Sequence, residues 1–480
     1  MDEADSLGRP RKANPSRRRW LLLGLSALTV IGLLCLMVLV PAGVRALPGR
    51  YAARLPEFMQ ELRHRPHPDL LPTPAIVVTP FPASTPTSPS LRGVTFITGT
   101  PLGEGLVQNS PTPQPKTTHT RTPQALLATA SATPTPTASP TPTSSATPTS
   151  TPLPPTPTAT QLAVRASLRP VTHTYQTWNN CGPATVTMAL YYFGQSGTQA
   201  QAAAFLKPDP EDKNVSPHEM ETYVRSLGLG ANVRVGGDLE RLKRLIAAGF
   251  PVIVETWFIP EPGDQMGHYR VLVGYDDEAR QFIAQDSYNG PNVQLDYAAF
   301  DELWRVFNRV YIVIYDPSQT EEVAVLLGED MDDRVMYERA LERAEMEASD
   351  PSTECIAYEN CADAAAFAWF NAGSNLTSLG RHREAAAAYD QARMLGLPWR
   401  MLWYQFGPYE AYYAAERFDD VITLATTTLN IVANLEESHF WRGMAYLAKG
   451  EADRARGDFH AALKYNPNFA AAQQVLESLE

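Results

Sequence analysis

Cysteine is scarce in this chain, with four in 480 residues, too few for a disulfide framework to hold a protein of this size. Positive charge is in deficit too: 40 Lys and Arg stand against 52 Asp and Glu, a net charge of −12. That balance argues against a nucleic-acid partner, which would need a basic face. The histidines, among them His173, His218, His439 and His460, do not fall at metal-ligand spacings, and no metal or other cofactor is expected. Phosphate loops of the Walker type are absent. Long apolar runs are lacking as well, with one exception near the N-terminus.

That exception is Leu21–Val40, an uncharged stretch long enough to cross a hydrocarbon core of ~30 Å as a helix. Arg9, Arg11, Lys12, Arg17, Arg18 and Arg19 precede it and Trp20 stands at its boundary. The basic cluster keeps the N-terminus in the cytoplasm and sends everything after Pro41 outside. An uncleaved signal anchor is favoured over a cleaved signal peptide, whose apolar region would be shorter and followed by a small-x-small site. The expectation is a basic cytoplasmic tail (1–19), a single-pass anchor in the cell membrane (20–41), and extracytoplasmic domains beyond.

Proline is abundant, with 41 residues crowded into the first third. Arg50–Arg63 is weakly amphipathic and either rests on the membrane surface or has no particular role. From about Leu71 to Thr160 the composition collapses to Thr, Pro, Ser and Ala, with runs such as Thr133-Pro134-Thr135-Pro136-Thr137. Such a segment buries too little apolar surface to offset chain entropy, which predicts a disordered stalk over 42–162. At ~3.1 Å per residue the ninety or so residues from Leu71 to Thr160 reach at most about 280 Å.

Regular structure is predicted from Ala163. Gly182–Phe193 reads as a buried helix stopped by Gly194. Ser216-Pro217-His218-Glu219 is a capping-box start for a helix through Leu227, with His218 an exposed first-turn residue. Leu239–Ala248 is a further helix ended by Gly249. Pro251–Trp257, Tyr269–Asp276, Phe282–Asp286 and Val310–Tyr315 are β-branched and aromatic runs that read as strands. Helices followed by an antiparallel sheet give an α+β domain over 163–317.

Within it, Gln176-Thr177-Trp178-Asn179-Asn180-Cys181-Gly182-Pro183 places a cysteine where a loop becomes an apolar helix. A helix N-terminus stabilises a thiolate. Gln176, five residues upstream, can offer an amide N–H to a developing oxyanion. A nucleophilic cysteine also needs a base and a group to orient it. His268 follows Gly267 and opens a strand, so its ring is expected to project from a sheet edge. Asp286 ends the next strand; if the two strands form a hairpin, it lies beside His268. Alone, each has a plain alternative: Cys181 a small buried apolar residue, His268 a satisfied core or surface histidine, Asp286 a turn residue. Tyr175, Trp178 and Trp257 are expected in the core rather than lining a cleft.

Taken together, Gln176, Asn180-Cys181-Gly182-Pro183, Gly249-Phe250-Pro251-Val252-Ile253-Val254, Gly267-His268-Tyr269 with the strand to Asp276, and Asp286 resemble the bacteriocin-processing (double-glycine leader) branch of papain-like cysteine peptidases. The resemblance covers roughly Thr172–Pro317. It implies Cys181 as nucleophile, His268 as general base and then acid, and Asp286 as orienter of His268. Gln176 with the Cys181 backbone N–H would form the oxyanion hole. The chain lacks the export transporter to which leader-processing members are usually fused. Asn180 stands where that branch commonly has an acidic residue.

After Pro317 the pattern is helical to the end. Glu321–Ala348 gives one or two helices of a connector (318–365). Cys355 and Cys361 within it either pair in an oxidising compartment or serve as small apolar residues. A period near 34 residues then appears over 366–480. Gly443, Tyr446, Gly450, Ala455, Phe459, Ala462 and Pro467 occupy the small and aromatic positions of a tetratricopeptide repeat. Trp369, Gly373, Gly380, Ala385, Tyr389 and Ala392 mark a first copy, and Tyr412, Phe418 and Ala425 a degenerate middle one at about 402–434. Ala470–Leu479 would cap the stack.

The chain as a whole is thus expected to be a multidomain protein: an anchored extracytoplasmic cysteine peptidase acting on a peptide or protein substrate, with repeats that hold a protein partner. Two other readings stay open: a cell-wall peptide amidase on the same fold, and a catalytically idle tethered scaffold.

Overall fold

The computed structural model describes residues 70–74, 162–260, 264–350 and 363–479. The predicted cytoplasmic tail and membrane span, nearly all of the stalk, and Cys355 and Cys361 lie outside them. Among the described residues no helix is long and apolar enough to cross a membrane.

The catalytic half begins with β1 (Arg165–Ser167), then α1 (Cys181–Tyr192), α2 (Gln199–Leu206) and α3 (Pro217–Ser226). Next come β2 (Gly230–Arg234), α4 (Leu239–Ala247), β3 (Val252–Phe258), β4 (Met266–Asp276), β5 (Gln281–Asp286), β6 (Gly290–Asp296), α5 (Tyr297–Arg305) and β7 (Tyr311–Tyr315). The seven strands form one antiparallel sheet in the order β2-β7-β3-β4-β5-β6, with β1 added alongside the second half of β4. The capping box at Ser216 is present: its hydroxyl takes the Glu219 N–H and the Glu219 carboxylate takes the Ser216 N–H. Gly249, at φ 97°, ends α4 in the left-handed region open to glycine.

Five elements escaped the sequence reading, β1 and α2 among them. Strands β2 and β6 and helix α5 lie in stretches whose apolar residues are few or interrupted. Strand β6 is exposed at alternate positions along an outer edge, so its sequence Gly290-Pro291-Asn292-Val293 carries a turn signal rather than a strand signal. It is held by its register against β5 instead.

Helix α1 is buried at every position from Gly182 to Leu190, so it has no solvent face and packs within the core. Thr185 Oγ1 donates to the Tyr269 carbonyl of β4 at 3.1 Å, which ties the helix to the central strand.

The chain continues through α6 (Thr320–Leu327) and α7 (Asp333–Ser349), the two helices expected of the connector. The repeat half comprises α8 (Asp363–Ser378), α9 (His382–Leu395), α10 (Gly407–Ala414), α11 (Phe418–Ile431), α12 (Glu436–Ala448), α13 (Ala452–Tyr465) and the capping α14 (Ala470–Leu479). Three hairpins result, α8/α9, α10/α11 and α12/α13. Small residues set their spacing. A Cβ on Gly373 would sit 2.7 Å from the Tyr389 ring, and one on Gly443 would sit 2.8 Å from the Phe459 ring.

The repeats fold against the catalytic half. Asn308 and Asn375, both buried, exchange side-chain hydrogen bonds at 2.7 and 3.3 Å. Asn371 donates to the Arg305 carbonyl at 2.6 Å, and Trp257 meets Phe367 edge-on.

The predicted stalk is corrected at one place. Leu70–Pro74 is ordered on the repeats: Leu70 bridges Pro398 antiparallel, the Leu71 N–H donates to the Leu397 carbonyl at 2.9 Å, and Arg393 donates to the Pro72 carbonyl at 2.7 Å. Leu71 is 4% exposed. A composition average over ninety residues, as a rough window, cannot register five residues that borrow hydrogen bonds and an apolar socket from elsewhere.

Candidate active site

Cys181 is the first residue of α1. Asn179 just before it has φ 55°, a left-handed value that asparagine adopts more readily than most residues. The Asn180 side chain does not cap the helix and donates instead to Thr177 Oγ1 at 2.8 Å. The His268 side chain and the Tyr269 and Gly182 backbone groups all favour the ionised form of the Cys181 thiol. Burial by itself raises the thiol's pKa. The hydrogen bond and charge of His268, followed by the two backbone groups, more than offset it, and the thiol lies below its ordinary value.

His268 occupies the third position of β4, opposite Thr256 of β3. It is 3% exposed, and although β4 is central in the sheet, the strand is open on one side at His268, as the sheet-edge expectation had it. Strand β5 pairs with β4 only from Val271 onward, which leaves β4 around His268 with a strand on one flank alone. Asp286, the last residue of β5, then falls beside that open stretch. His268 Nε2 lies 2.9 Å from Asp286 Oδ1.

Burial lowers the His268 pKa, but the charge and hydrogen bond of Asp286 and the bond to Cys181 raise it further, and the net shift is upward. Burial likewise raises Asp286, whereas the charge and hydrogen bond of His268 and the charge of Arg270 hold it far below the carboxylate range. A lowered thiol beside a raised imidazole favours a thiolate–imidazolium pair.

Asp286 is held from several directions. Arg270 Nε donates to Oδ2 at 2.7 Å, the Tyr288 and Asn289 N–H groups to Oδ1 at 2.8 and 2.9 Å, and Asn289 Nδ2 to Oδ2 at 3.0 Å. Arg270 also donates to Thr256 Oγ1, and His173 Nε2 lies 3.0 Å from the Asp286 carbonyl. Sequence reasoning missed Arg270, although it stands two residues from His268 and so shares its strand face.

Gln176 reaches the same region. Its N–H donates to the Ser287 carbonyl at 2.9 Å, and its Oε1 accepts from Ser287 Oγ at 2.8 Å. Ser287 was also missed; its adjacency to Asp286 is the signal that could have found it.

One further carboxyl is coupled to the thiol. Glu255 of β3 is 4% exposed and stands opposite Tyr269 in the register. Burial holds it well above the usual carboxylate range, and the Cys181 charge adds to that. The Tyr269 hydroxyl donates to the Val215 carbonyl at 2.8 Å.

The aromatic expectation divides. Trp257 is in the core at 1% exposed, but Tyr175 and Trp178 are 51% and 53% exposed on the loop leading to Cys181. That loop crosses the surface and has no second layer to cover it. His218 is half-buried rather than exposed, with its Nδ1 3.2 Å from Glu221. No group of His, Cys, Asp and Glu that could hold a metal occurs among the described residues.

Comparison with known proteins gives two matches by family. The Peptidase_C39 like family matches residues 168–312, and the tetratricopeptide repeat matches residues 436–469. A solved structure described as a C39-like peptidase from Bacillus anthracis is similar at 16% identity and a TM-score of 0.26, over 31% of this chain and 96% of that one. No curated protein matches. Residues 168–312, which carry Cys181, His268 and Asp286, are a Peptidase_C39-like domain, and a tetratricopeptide repeat follows at 436–469.

Proposed function

We propose that this protein is a cysteine peptidase in which Cys181, His268 and Asp286 act as nucleophile, base and orienter. The observation that carries the reading is the buried contact of 2.9 Å between His268 Nε2 and Asp286 Oδ1, beside a Cys181 thiol whose pKa His268 lowers. His268 takes the thiol proton, and the thiolate attacks the scissile carbonyl. Gln176 Nε2 and the Cys181 backbone N–H hold the oxyanion. Protonated His268 then delivers its proton to the leaving amine. A water, deprotonated by the same imidazole, cleaves the thioester and regenerates the thiol. Asp286 holds the ring in place and stabilises its charged form; Arg270 and the Tyr288 and Asn289 N–H groups keep Asp286 ionised.

The anchoring run Leu21–Val40, with its basic flank, places this chemistry outside the cell membrane with the N-terminus in the cytoplasm. The repeats hold a protein partner or substrate.

Labelling of the purified protein with an electrophilic peptide mimic tests the reading, with Cys181→Ala as the control. Wild type labels at Cys181 near neutral pH at least tenfold faster than a free thiol, as an order-of-magnitude expectation for an activated thiolate. Reaction at the rate of an unactivated thiol would leave a catalytically idle scaffold instead. Digestion of peptide libraries beside cell-wall fragments then separates a peptidase from an amidase.

A further inference from the structure

The main chain that leads to His268 is held by the repeat half. Residues Trp399–Trp403 form a short 3-10 turn between α9 and α10. From it Arg400 Nη1 reaches Asp264 Oδ1 at 2.6 Å and donates to the Gln265 carbonyl at 2.8 Å. The ring of Tyr404, the next residue after the turn, lies against Gly267. On that stretch β4 pairs with β3 but not with β5, which joins only at Val271. The turn therefore supplies contacts that a second neighbouring strand would otherwise make.

Packing adds to this. A Cβ on Gly267 would stand 3.0 Å from Glu255 Oε1, 3.0 Å from Phe307 Cζ and 3.2 Å from Tyr404 Cδ1. Glycine at this position lets the Tyr404 ring close directly onto the backbone ahead of His268. Phe307 completes the contact, with its ring centre 5.8 Å from that of Tyr404.

We infer that Tyr404, supported by Arg400, is a positioning residue for His268, so that the repeat domain is a working part of the catalytic unit as well as a binding module. The inference rests on the catalytic reading of Cys181 and His268. Asp286 fixes the ring of His268, whereas Tyr404 and Arg400 fix the peptide from which the ring projects. A displacement of about 1 Å at a catalytic group costs on the order of 100-fold in rate.

The test is the pH profile of Cys181 alkylation by iodoacetamide in the full chain, for wild type, Tyr404→Ala, Tyr404→Phe and Arg400→Lys, with melting curves alongside. Tyr404→Ala is expected to slow alkylation at pH 6 by roughly 10-fold to 100-fold and to move the rise of the profile to higher pH, with the protein still folded. Tyr404→Phe keeps the ring against Gly267 and recovers much of the wild-type profile. Arg400→Lys weakens the hold on Gln265 and gives a smaller shift in the same direction. Should Tyr404→Ala not fold, the two conservative variants carry the test by the shift of their profiles. An activated wild-type thiol whose profile is unchanged in all variants overturns the positioning role alone. An unactivated wild-type thiol overturns the catalytic reading and the positioning role together.

Discussion

Asp286 in the catalytic sheet and Asp390 in the repeat stack are both fully buried, at 0% exposure, and both are paired with arginine. Asp390 accepts from Arg417 at 2.6 and 2.9 Å and from the Tyr412 hydroxyl at 2.9 Å. Asp420 beside it accepts from Arg393 and from the same Arg417. Every strong partner there is a permanent cation or a neutral hydroxyl. Asp286 differs in one partner: besides Arg270 it holds an imidazole, which gains and loses a proton. A buried carboxylate therefore does not signal chemistry by itself. The group opposite decides whether it locks two helices together or supports a base.

Removing each carboxylate in turn breaks the comparison most sharply. Asp286→Asn is expected to lower kcat on the order of 10⁴-fold while the far-ultraviolet circular dichroism stays that of wild type. Turnover of a peptide selected from the library digest measures it. Asp390→Ala should do the reverse. It leaves Arg417 partly unpaired in the interior and costs about 3–5 kcal/mol of stability, read from urea denaturation, while turnover per folded molecule stays within about twofold of wild type. If Asp390→Ala also removed turnover without unfolding the chain, the distinction between the two sites would not stand.

A smaller effect sharpens the comparison at the junction of the two halves. Burial, followed by the neighbouring Glu436 charge, raises Glu219 to about 7 against the opposing Ser216 N–H. A carboxyl raised on folding binds more protons in the native state between its unfolded value and its folded one. Its stabilising contribution is thus complete below about pH 4.5 and is lost as pH rises through about 7. The melting temperature should fall across that interval, and Glu219→Gln, which keeps the capping geometry, should flatten the fall. An identical slope in the variant would assign the pH dependence to other groups, with Glu437 and Asp212, also raised by burial, the next to substitute.

Much of the fold was legible because its signals are local. The capping box at Ser216-Pro217-His218-Glu219 needs only four residues to be recognised, and the strand runs Val252–Phe258 and Tyr311–Tyr315 are rich in β-branched and aromatic residues. The repeat hairpins announce themselves through Gly373 facing Tyr389 and Gly443 facing Phe459. What was not legible depends on partners distant in the chain. Strand β6 is recruited by β5, Leu70–Pro74 by the segment around Leu397, and Arg270 by a carboxylate on another strand. Tyr175 and Trp178 look like core residues by type, yet no element covers their loop.

The sequence alone determined which residue types stand at the head of α1, at the start of β4 and at the end of β5, because helix starts and strand runs follow from neighbours in the chain. It also determined the period of the repeats, since small and aromatic residues must recur wherever helices pack closely. Only the tertiary structure decided that β5 joins β4 late enough for Asp286 to meet His268. It alone decided, too, that a turn between repeats closes over Gly267. Register and docking depend on contacts between segments far apart in the chain, and the order of residues along one segment does not specify which distant surface it will meet.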